Sequence, residues 1–238
     1  MDHNVSVAGK SLPVFITHKK MKKVRLKVFP SGEIRMSVPL DTPDEWISDF
    51  LNKKQKWIAE KLAKFEKTKA IEKEIHIRSG SSTRILGRQL VIHVEAASQK
   101  RIVKNDGKLF LYTTNPKDQL DIDKQFNNWW QRSSKEYFIG VLDELYPIIK
   151  KHGIEKPEVV VKKMATLWGS CGRKKGRIHL NFYLYKASRP CIEYLILHEL
   201  THFLYPHHNK DFNNFISIHI PDWKERKKQL DYEIVLGV

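Results

Sequence analysis

The chain has 238 residues, of which 41% are hydrophobic and 11% aromatic, a composition that excludes a disordered protein. Its two cysteines exclude a disulfide framework, and no stretch approaches the roughly 20 apolar residues of a membrane span. Because no signal peptide is recognisable either, we expect a cytoplasmic protein.

The charge balance points to anionic partners. Lys and Arg number 43 against 27 Asp and Glu, which gives a formal net charge of +16. Such an excess attracts polyanions, so contact with nucleotides or nucleic acid through a basic surface is one expectation. The alternative is a solvated basic face that only keeps the protein soluble.

The first half of the sequence has the pattern of a β-rich region with one long helix. Residues 24–29 and 34–38 alternate between apolar and polar types, and residues 30–33 between them are typical of a hairpin turn. Thr42 and Pro43 indicate a helix start, and helical spacing predicts an apolar helix face formed by Trp46, Phe50, Trp57, Ile58 and Leu62. Further strands are predicted at residues 75–77, 89–94, 101–104 and 108–112.

The second half has an α/β pattern. Apolar spacing predicts a helix over residues 117–151, and strands over 157–164 and 177–183 enclose a loop at 166–176. Two short helices are predicted at 211–218 and 221–230. We detect no internal repeat. The chain is therefore predicted to have an α+β fold, with a β-rich region over 1–115 and an α/β part over 116–238.

One segment indicates chemistry directly. His198 and His202 lie four residues apart in an apolar stretch, so on a helix both imidazoles project from one face at a spacing that zinc accepts. Glu199 beside them can act as general base toward the metal-bound water. Pro206 predicts that the helix ends near Leu204. Either His207 or His208 can then return as a third ligand, which predicts an open catalytic zinc site.

Further short motifs resemble one known family. They are Trp168-Gly169-Ser170-Cys171, Ile178 with Leu180-Asn181, His208-Asn209-Lys210 with Phe212, and Pro221-Asp222-Trp223. Together with the histidine helix, they make the chain similar to the YgjP-like metallopeptidases, relatives of the SprT-like zinc proteases in the zincin group. The resemblance implies a zincin-like fold, a peptide or protein substrate, and zinc held by His198, His202 and His208. The family usually has arginine where this chain has Leu167, which bears on substrate choice.

Several other residues are candidates for substrate contact. The strand at 177–183 is expected to run along the cleft and to pair with a peptide at its edge. His179 and the phenol of Tyr205 could stabilise an oxyanion, whereas Cys171 is expected to be a packing residue. The full set of substrate-binding candidates is Trp168, Ser170, Arg173, His179, Asn181 and Tyr205.

These patterns favour a zinc-dependent hydrolase, and most of all a metallopeptidase. Imidazole ligands also accept other divalent ions, so another metal is compatible with the sequence. A metal-dependent nucleotide phosphohydrolase, such as a nucleoside triphosphate pyrophosphatase, remains an alternative because it uses the same water-activating chemistry. A nucleic-acid-associated accessory protein is a further alternative, although a structural zinc site has no use for Glu199. The sequence does not indicate the oligomeric state.

Overall fold

The computed structural model describes residues 3–7, 9–29, 31–68, 76–164 and 167–235. Within these residues, the protein has an α+β fold with eleven strands in three sheets and five α helices. The chain divides into two compact units, Met1–Glu72 and Lys73–Val238. The second unit contains the predicted metal-binding helix together with the strands on the N-terminal side of Asn115, where the sequence suggested a soft boundary.

The first unit is a four-stranded sheet followed by a helix. Its sheet has the order β1-β2-β4-β3, with β2 and β4 parallel and the outer pairs antiparallel. The bounds are β1 His3–Val7, β2 Lys10–Lys19, β3 Arg25–Val28, β4 Ile34–Pro39 and α1 Asp44–Thr68. The predicted hairpin is confirmed as β3 and β4, although Pro30 of its turn lies outside the described residues. Strands β1 and β2 were not predicted.

The packing face of α1 agrees with the prediction in part, since Phe50, Ile58 and Leu62 pack against the core of the first unit. Ile47, Leu51 and Ile58 face the core of the first unit, and each is at most 1% exposed. Trp46 and Trp57 are 44% and 37% exposed, so the prediction that they lie on the buried face was wrong. The aliphatic residues supply the stripe that packs on the sheet, which leaves these two indole rings at the surface.

The second sheet repeats the topology of the first. Its order is β5-β6-β8-β7, again with one central parallel pair and two outer antiparallel pairs, and again a long helix follows. The bounds are β5 Ser82–Ile85, β6 Arg88–Ala96, β7 Arg101–Asn105, β8 Lys108–Thr113 and α2 Gln119–Lys150. This structural repeat is not visible in the sequence, because the two copies share strand order rather than residues.

Two local predictions in this region were wrong. His76 and Ile77 are not in a strand, and Ile75 lies outside the described residues. The first strand of this region is instead β5, which begins at Ser82. Helix α2 agrees with its predicted range: Asp118 caps it by accepting a hydrogen bond from the backbone N–H of Asp121 at 3.0 Å, and Pro147 lies within it.

A small third sheet and three helices complete the second unit. The sheet has the order β10-β11-β9, and α3 packs against β10 and α2. Because β11 pairs with β10 on one side and β9 on the other, the prediction that a peptide could pair with the edge of β11 was wrong. The bounds are β9 Glu158–Lys162, β10 Gly169–Gly172, β11 Arg177–Asn181, α3 Arg189–Leu204, α4 Lys210–His219 and α5 Trp223–Val235.

Strand β10 lies in the segment that was predicted to be a loop, of which Thr166 is outside the described residues. Its four residues, two of them glycines, have no β-forming pattern, and pairing with β11 imposes the extended conformation. Across the described ranges, no helix has the length and apolar content needed to span a membrane.

Candidate metal centre and active site

Helix α3 carries the first two histidines. Its buried residues include Ile192, Leu195, Ile196 and Leu200, so it is a core helix whose position is fixed by packing. Pro190 occupies its first turn, where the absence of a backbone N–H has no cost. Ser188 has the N-cap position but makes no capping hydrogen bond. The helix ends at Leu204, as Pro206 predicted.

Three imidazoles converge beside this helix. One ligand atom from each of His198, His202 and His208 lies within 4.8 Å of the other two. The Nε2 atoms of His198 and His208 are 3.0 Å apart, and the ring centroids of the three pairs are separated by 4.7 to 5.0 Å. His207 is exposed and is not part of this group. Two ring nitrogens at 3.0 Å require a shared proton or a cation between them.

The outer ring nitrogens fix the orientation of the imidazoles. Nδ1 of His202 lies 3.1 Å from the backbone carbonyl oxygen of Tyr205, which can only accept, so Nδ1 carries the proton and Nε2 keeps its lone pair. Nδ1 of His198 lies 3.5 Å from the phenol oxygen of Tyr194. A metal-binding histidine needs this tautomer, with a partner on the nitrogen that does not bind the metal.

Phe212 packs against the whole cluster and was not predicted as a site residue. Its ring centroid lies 4.9, 4.7 and 4.6 Å from those of His198, His202 and His208, and the residue is 1% exposed. Asn209 caps α4 by accepting a hydrogen bond from the N–H of Phe212 at 3.0 Å, which places this ring. The sequence signal was the capping asparagine three residues before an aromatic residue.

The histidines are held in the neutral form that binds metals. Burial lowers the pKa of His198 to about 3, with a further contribution from the neighbouring His202 and His208. Burial also lowers the pKa values of His202 and His208. Because protonated imidazole has no free lone pair, lowered pKa values reduce the competition between protons and a metal near neutral pH.

Glu199, which follows His198 in α3, is a buried carboxyl group. The residue is 4% exposed, and burial raises its pKa to about 8, while the backbone N–H of Cys171 donates a hydrogen bond to it and opposes that shift. A cation beside this carboxyl would favour the ionised form and lower the pKa. The site therefore has a potential proton acceptor, the Glu199 carboxyl, in a buried environment that disfavours its ionised form.

Gly169 in β10 lies against this carboxyl group. A Cβ atom added to Gly169 would be 2.7 Å from Oε1 of Glu199 and 2.9 Å from its Cγ, closer than real Cβ contacts occur. Only glycine therefore lets the strand approach the helix this closely. The sequence marked Gly169 as part of a motif but gave no reason for its being glycine.

The Asn181 side chain forms hydrogen bonds with backbone groups of the same chain. It is 2% exposed, and its amide donates hydrogen bonds of 2.8 Å to the carbonyl oxygens of Met164 and Leu167. Its backbone N–H donates to the carbonyl of Trp168 at 2.8 Å, and its side-chain oxygen accepts from the N–H of Tyr183 at 3.1 Å. Asn181 thus anchors the segment that leads into β10, and Trp168 immediately precedes that strand.

The remaining candidates make contacts with β11, α3 and α4. Ser170 faces His179 across the β10–β11 pair, and burial lowers the pKa of His179. Arg173 donates a hydrogen bond of 3.1 Å to the carbonyl oxygen of Phe203 in the last turn of α3. Tyr205 contributes its carbonyl to His202, and its ring packs against Phe215 with centroids 5.9 Å apart.

Cys171 has the environment of an inert thiol. Burial raises the pKa of Cys171 to about 12, and the negative charge of Glu199 adds to this shift. A thiol with such a pKa stays protonated at neutral pH and is a poor nucleophile. Its backbone N–H, which holds the Glu199 carboxyl, is its contribution to the site.

The three histidines have the chemistry of a divalent-metal site. Three neutral nitrogen donors with ligand atoms within 4.8 Å of one another fit an ion such as Zn²⁺, which accepts three protein ligands and leaves a fourth position open in catalytic sites. The buried Glu199 beside them fits this interpretation, because a buried carboxyl gains from nearby positive charge.

Comparisons with known proteins identify the family of this chain. No curated protein matches the chain at a significant level. Among solved structures, the crystal structure of the metallopeptidase zymogen of Methanocaldococcus jannaschii jannalysin is 24% identical over an alignment that covers 41% of this chain and 93% of that chain, with a TM-score of 0.34. Residues 22–233 match the YgjP-like family, metallopeptidase domain, and the chain belongs to this family.

Proposed function

We propose that the chain is a zinc-dependent metallopeptidase in which Glu199 is the general base. The observation that carries the proposal is the convergence of three imidazoles, with ligand atoms within 4.8 Å of one another, beside a carboxyl that is 4% exposed. Membership of a metallopeptidase family supports peptide or protein substrates.

His198, His202 and His208 would hold the metal through one ring nitrogen each. Zinc bound there would supply Lewis acidity toward a peptide carbonyl and toward water. Glu199 accepts the proton of the attacking water and returns it to the leaving amine. The N–H of Cys171 and the close approach of Gly169 hold the carboxyl in one orientation, so its proton-accepting oxygen is positioned before the substrate arrives.

Strand β10 offers a place for an extended peptide. Within the described residues it is an edge strand of its sheet, and it contacts α3. Asn181 N–H donates to the carbonyl of Trp168, and bonded and non-bonded residues alternate along an antiparallel pair, so the backbone groups of Gly169 and Cys171 point away from β11. The N–H of Cys171 is bound to Glu199, which leaves the backbone groups of Gly169 and the carbonyl of Cys171 for a peptide. A peptide pairing with this edge would lie beside the Glu199 carboxyl.

The test replaces Glu199 by glutamine in the full chain loaded with zinc. The amide keeps the size and the acceptor oxygen but cannot take a proton, so we expect unchanged bound metal and a loss of peptide hydrolysis by about 100-fold or more. Hydrolysis is followed by mass spectrometry of a peptide library, and bound metal by elemental analysis.

Two comparisons make this test decisive. Incubating the same preparation with nucleoside triphosphates distinguishes a peptidase from a phosphohydrolase, and turnover of triphosphate without peptide cleavage would reject the proposal. The matched variant Glu193→Gln changes a partly exposed carboxylate on the same helix, which pairs with Arg189 and Arg226, and should retain activity. Full activity of Glu199→Gln would show that another group is the base.

A further inference from the structure

The outer face of the second sheet carries a row of aromatic rings. The rings of His93 and Phe110 have centroids 5.2 Å apart with planes at 25°, and Phe110 and Tyr112 follow at 6.3 Å and 16°. Val91 and Val103 on the same face are 40% and 43% exposed, whereas the opposite face supplies the buried residues Leu90, Ile92, Leu109 and Leu111. We call His93, Phe110 and Tyr112 the ring row.

The fold does not require aromatic residues at these positions. The first sheet has the same strand order, and there the residues that correspond to Phe110 and Tyr112 are Arg35 and Ser37. The correspondence follows from the register, because Ser37 faces Arg25 as Tyr112 faces Arg101. Phe15, which faces Arg35, takes the place of His93 in the first sheet. The rings of Phe110 and Tyr112 are therefore what distinguishes the second sheet, and they need a reason other than sheet formation.

A basic cleft adjoins the ring row. It has a volume of about 330 Å³ and lies between β7 and the N-terminal half of α2, lined by Lys100, Arg101, Lys124, Asn128, Trp129 and Arg132 among others. Arg101 belongs to both features: its guanidinium carbon lies 4.3 Å from the ring centroid of Tyr112, and it lines the cleft. The ring row and the cleft are thus continuous at this residue.

The lining of the cleft has more basic than acidic side chains. Asp121 is the acidic residue in its lining and is paired with Lys100, with 2.6 Å between Oδ1 and Nζ. Lys124 and Arg132 are exposed and, in the part of the chain that the structure describes, form no ion pair. They are eight residues apart on α2 with Asn128 between them, and all three residues line the cleft.

We propose that this surface binds single-stranded nucleic acid. Phosphates contact Arg101, Lys124 and Arg132, and unstacked bases pack on the ring row and on Trp129. Cations along a groove together with aromatic rings on a sheet face are the combination by which proteins hold single strands, since every base has a face that can stack. The net charge of +16 adds long-range attraction. This inference is independent of the proposed peptidase activity.

The experiment measures binding of a fluorescein-labelled oligothymidylate about 12 nucleotides long, a length within the range that one binding surface covers. Fluorescence anisotropy is recorded with the full chain over a series of salt concentrations. We expect Lys124→Ala/Arg132→Ala to weaken binding by about tenfold and to reduce the slope of log K against log salt by about 1.4, since each single-strand phosphate contact contributes about 0.7. Phe110→Leu, which keeps an apolar side chain but removes the ring, should also weaken binding by about tenfold.

The control is Lys53→Ala/Lys56→Ala, which removes two exposed lysines from α1 in the first unit and lowers the net charge equally. It should bind like the wild type. Equal weakening by the two double variants, or no effect of Phe110→Leu in a protein with wild-type circular dichroism, would overturn the proposal. The proposal would also be overturned if the oligonucleotide did not bind, or if duplex DNA or poly-glutamate bound with the same affinity. Competition by a mononucleotide at the same phosphate concentration would overturn it as well.

Discussion

Replacing Glu199 by glutamine should stabilise the metal-free protein at alkaline pH. Burial raises the pKa of this carboxyl from 4.5 to about 8, so the folded chain favours its neutral form. With respect to this group the fold is most stable below pH 4.5, loses stability as the pH rises, and bears the full penalty above about pH 8. At 1.36 kcal/mol for each pH unit, the full penalty is about 5 kcal/mol.

Glutamine is neutral at every pH and can still accept the hydrogen bond from the N–H of Cys171. Its buried NH₂ group has no established partner, which costs about 1 to 3 kcal/mol. We therefore expect the variant to be more stable than the wild type by about 2 to 4 kcal/mol at pH 8.5, and to have little or no advantage at pH 5. The cost of the buried amide is the same at both pH values. The increase in the stability difference from pH 5 to pH 8.5 therefore does not depend on that cost.

The two cysteines give a readout that is specific to the unit with the metal site. Cys171 and Cys191 both lie in the second unit, and Cys191 is fully buried, so its labelling requires that unit to open. Metal-free protein is equilibrated in a series of urea concentrations and then exposed briefly to a dithiopyridine reagent, which reacts with thiols at both pH values. Mass spectrometry counts the labelled thiols at each urea concentration.

A stability difference that is the same at pH 5 and pH 8.5 would refute the reasoning, because it would mean that Glu199 titrates alike in the folded and unfolded chains. Glu193→Gln on the same helix is the matched control, and it should give no stabilisation that grows with pH. Saturating zinc should remove the alkaline penalty of the wild type, since positive charge beside Glu199 favours its ionised form.

The remaining predictions concern single positions around the site. His208→Ala should lower bound zinc far more than His207→Ala, because only His208 lies in the cluster; elemental analysis showing the reverse order would reassign the ligand. Gly169→Ala should reduce peptide hydrolysis by about 100-fold at unchanged bound metal, because its Cβ would displace a carboxyl oxygen 2.7 Å away. Gly172→Ala, whose Cβ would meet its nearest atom at 3.4 Å, is the control, and equal activity of the two variants would contradict the prediction. Asn181→Ala should destabilise the second unit by about 2 to 4 kcal/mol in the urea assay, because two carbonyl oxygens lose their donor, and an unchanged midpoint would show that they find another.

The sequence predicted the elements whose patterns are local. Helix α3 follows from its apolar periodicity and from Pro190 and Pro206, and the same periodicity placed α2 within two residues at each end. The spacing of His198 and His202 then predicted that two imidazoles share one face. These features depend on residues that lie within a few turns of one another.

Features that depend on distant contacts were missed. Strand β10 is extended because β11 pairs with it, and the role of Gly169 is visible only once the strand lies against α3. The face of α1 was predicted in part for a related reason. Helical spacing placed Ile58 correctly, but it does not separate aromatic from aliphatic residues, so Trp46 and Trp57 were included although they are exposed.

The repeated strand order has a consequence for folding. Each sheet consists of two antiparallel hairpins formed by neighbouring segments. The central parallel pair, β2 with β4 or β6 with β8, joins the two hairpins and therefore forms after them. Since both sheets present equivalent central strands at that stage, β2 could join β8, or β6 could join β4, in an exchanged pairing. Such exchange between like modules is the characteristic misassembly of repeated architectures, and a newly synthesised chain avoids it if the first sheet closes before the second emerges from the ribosome.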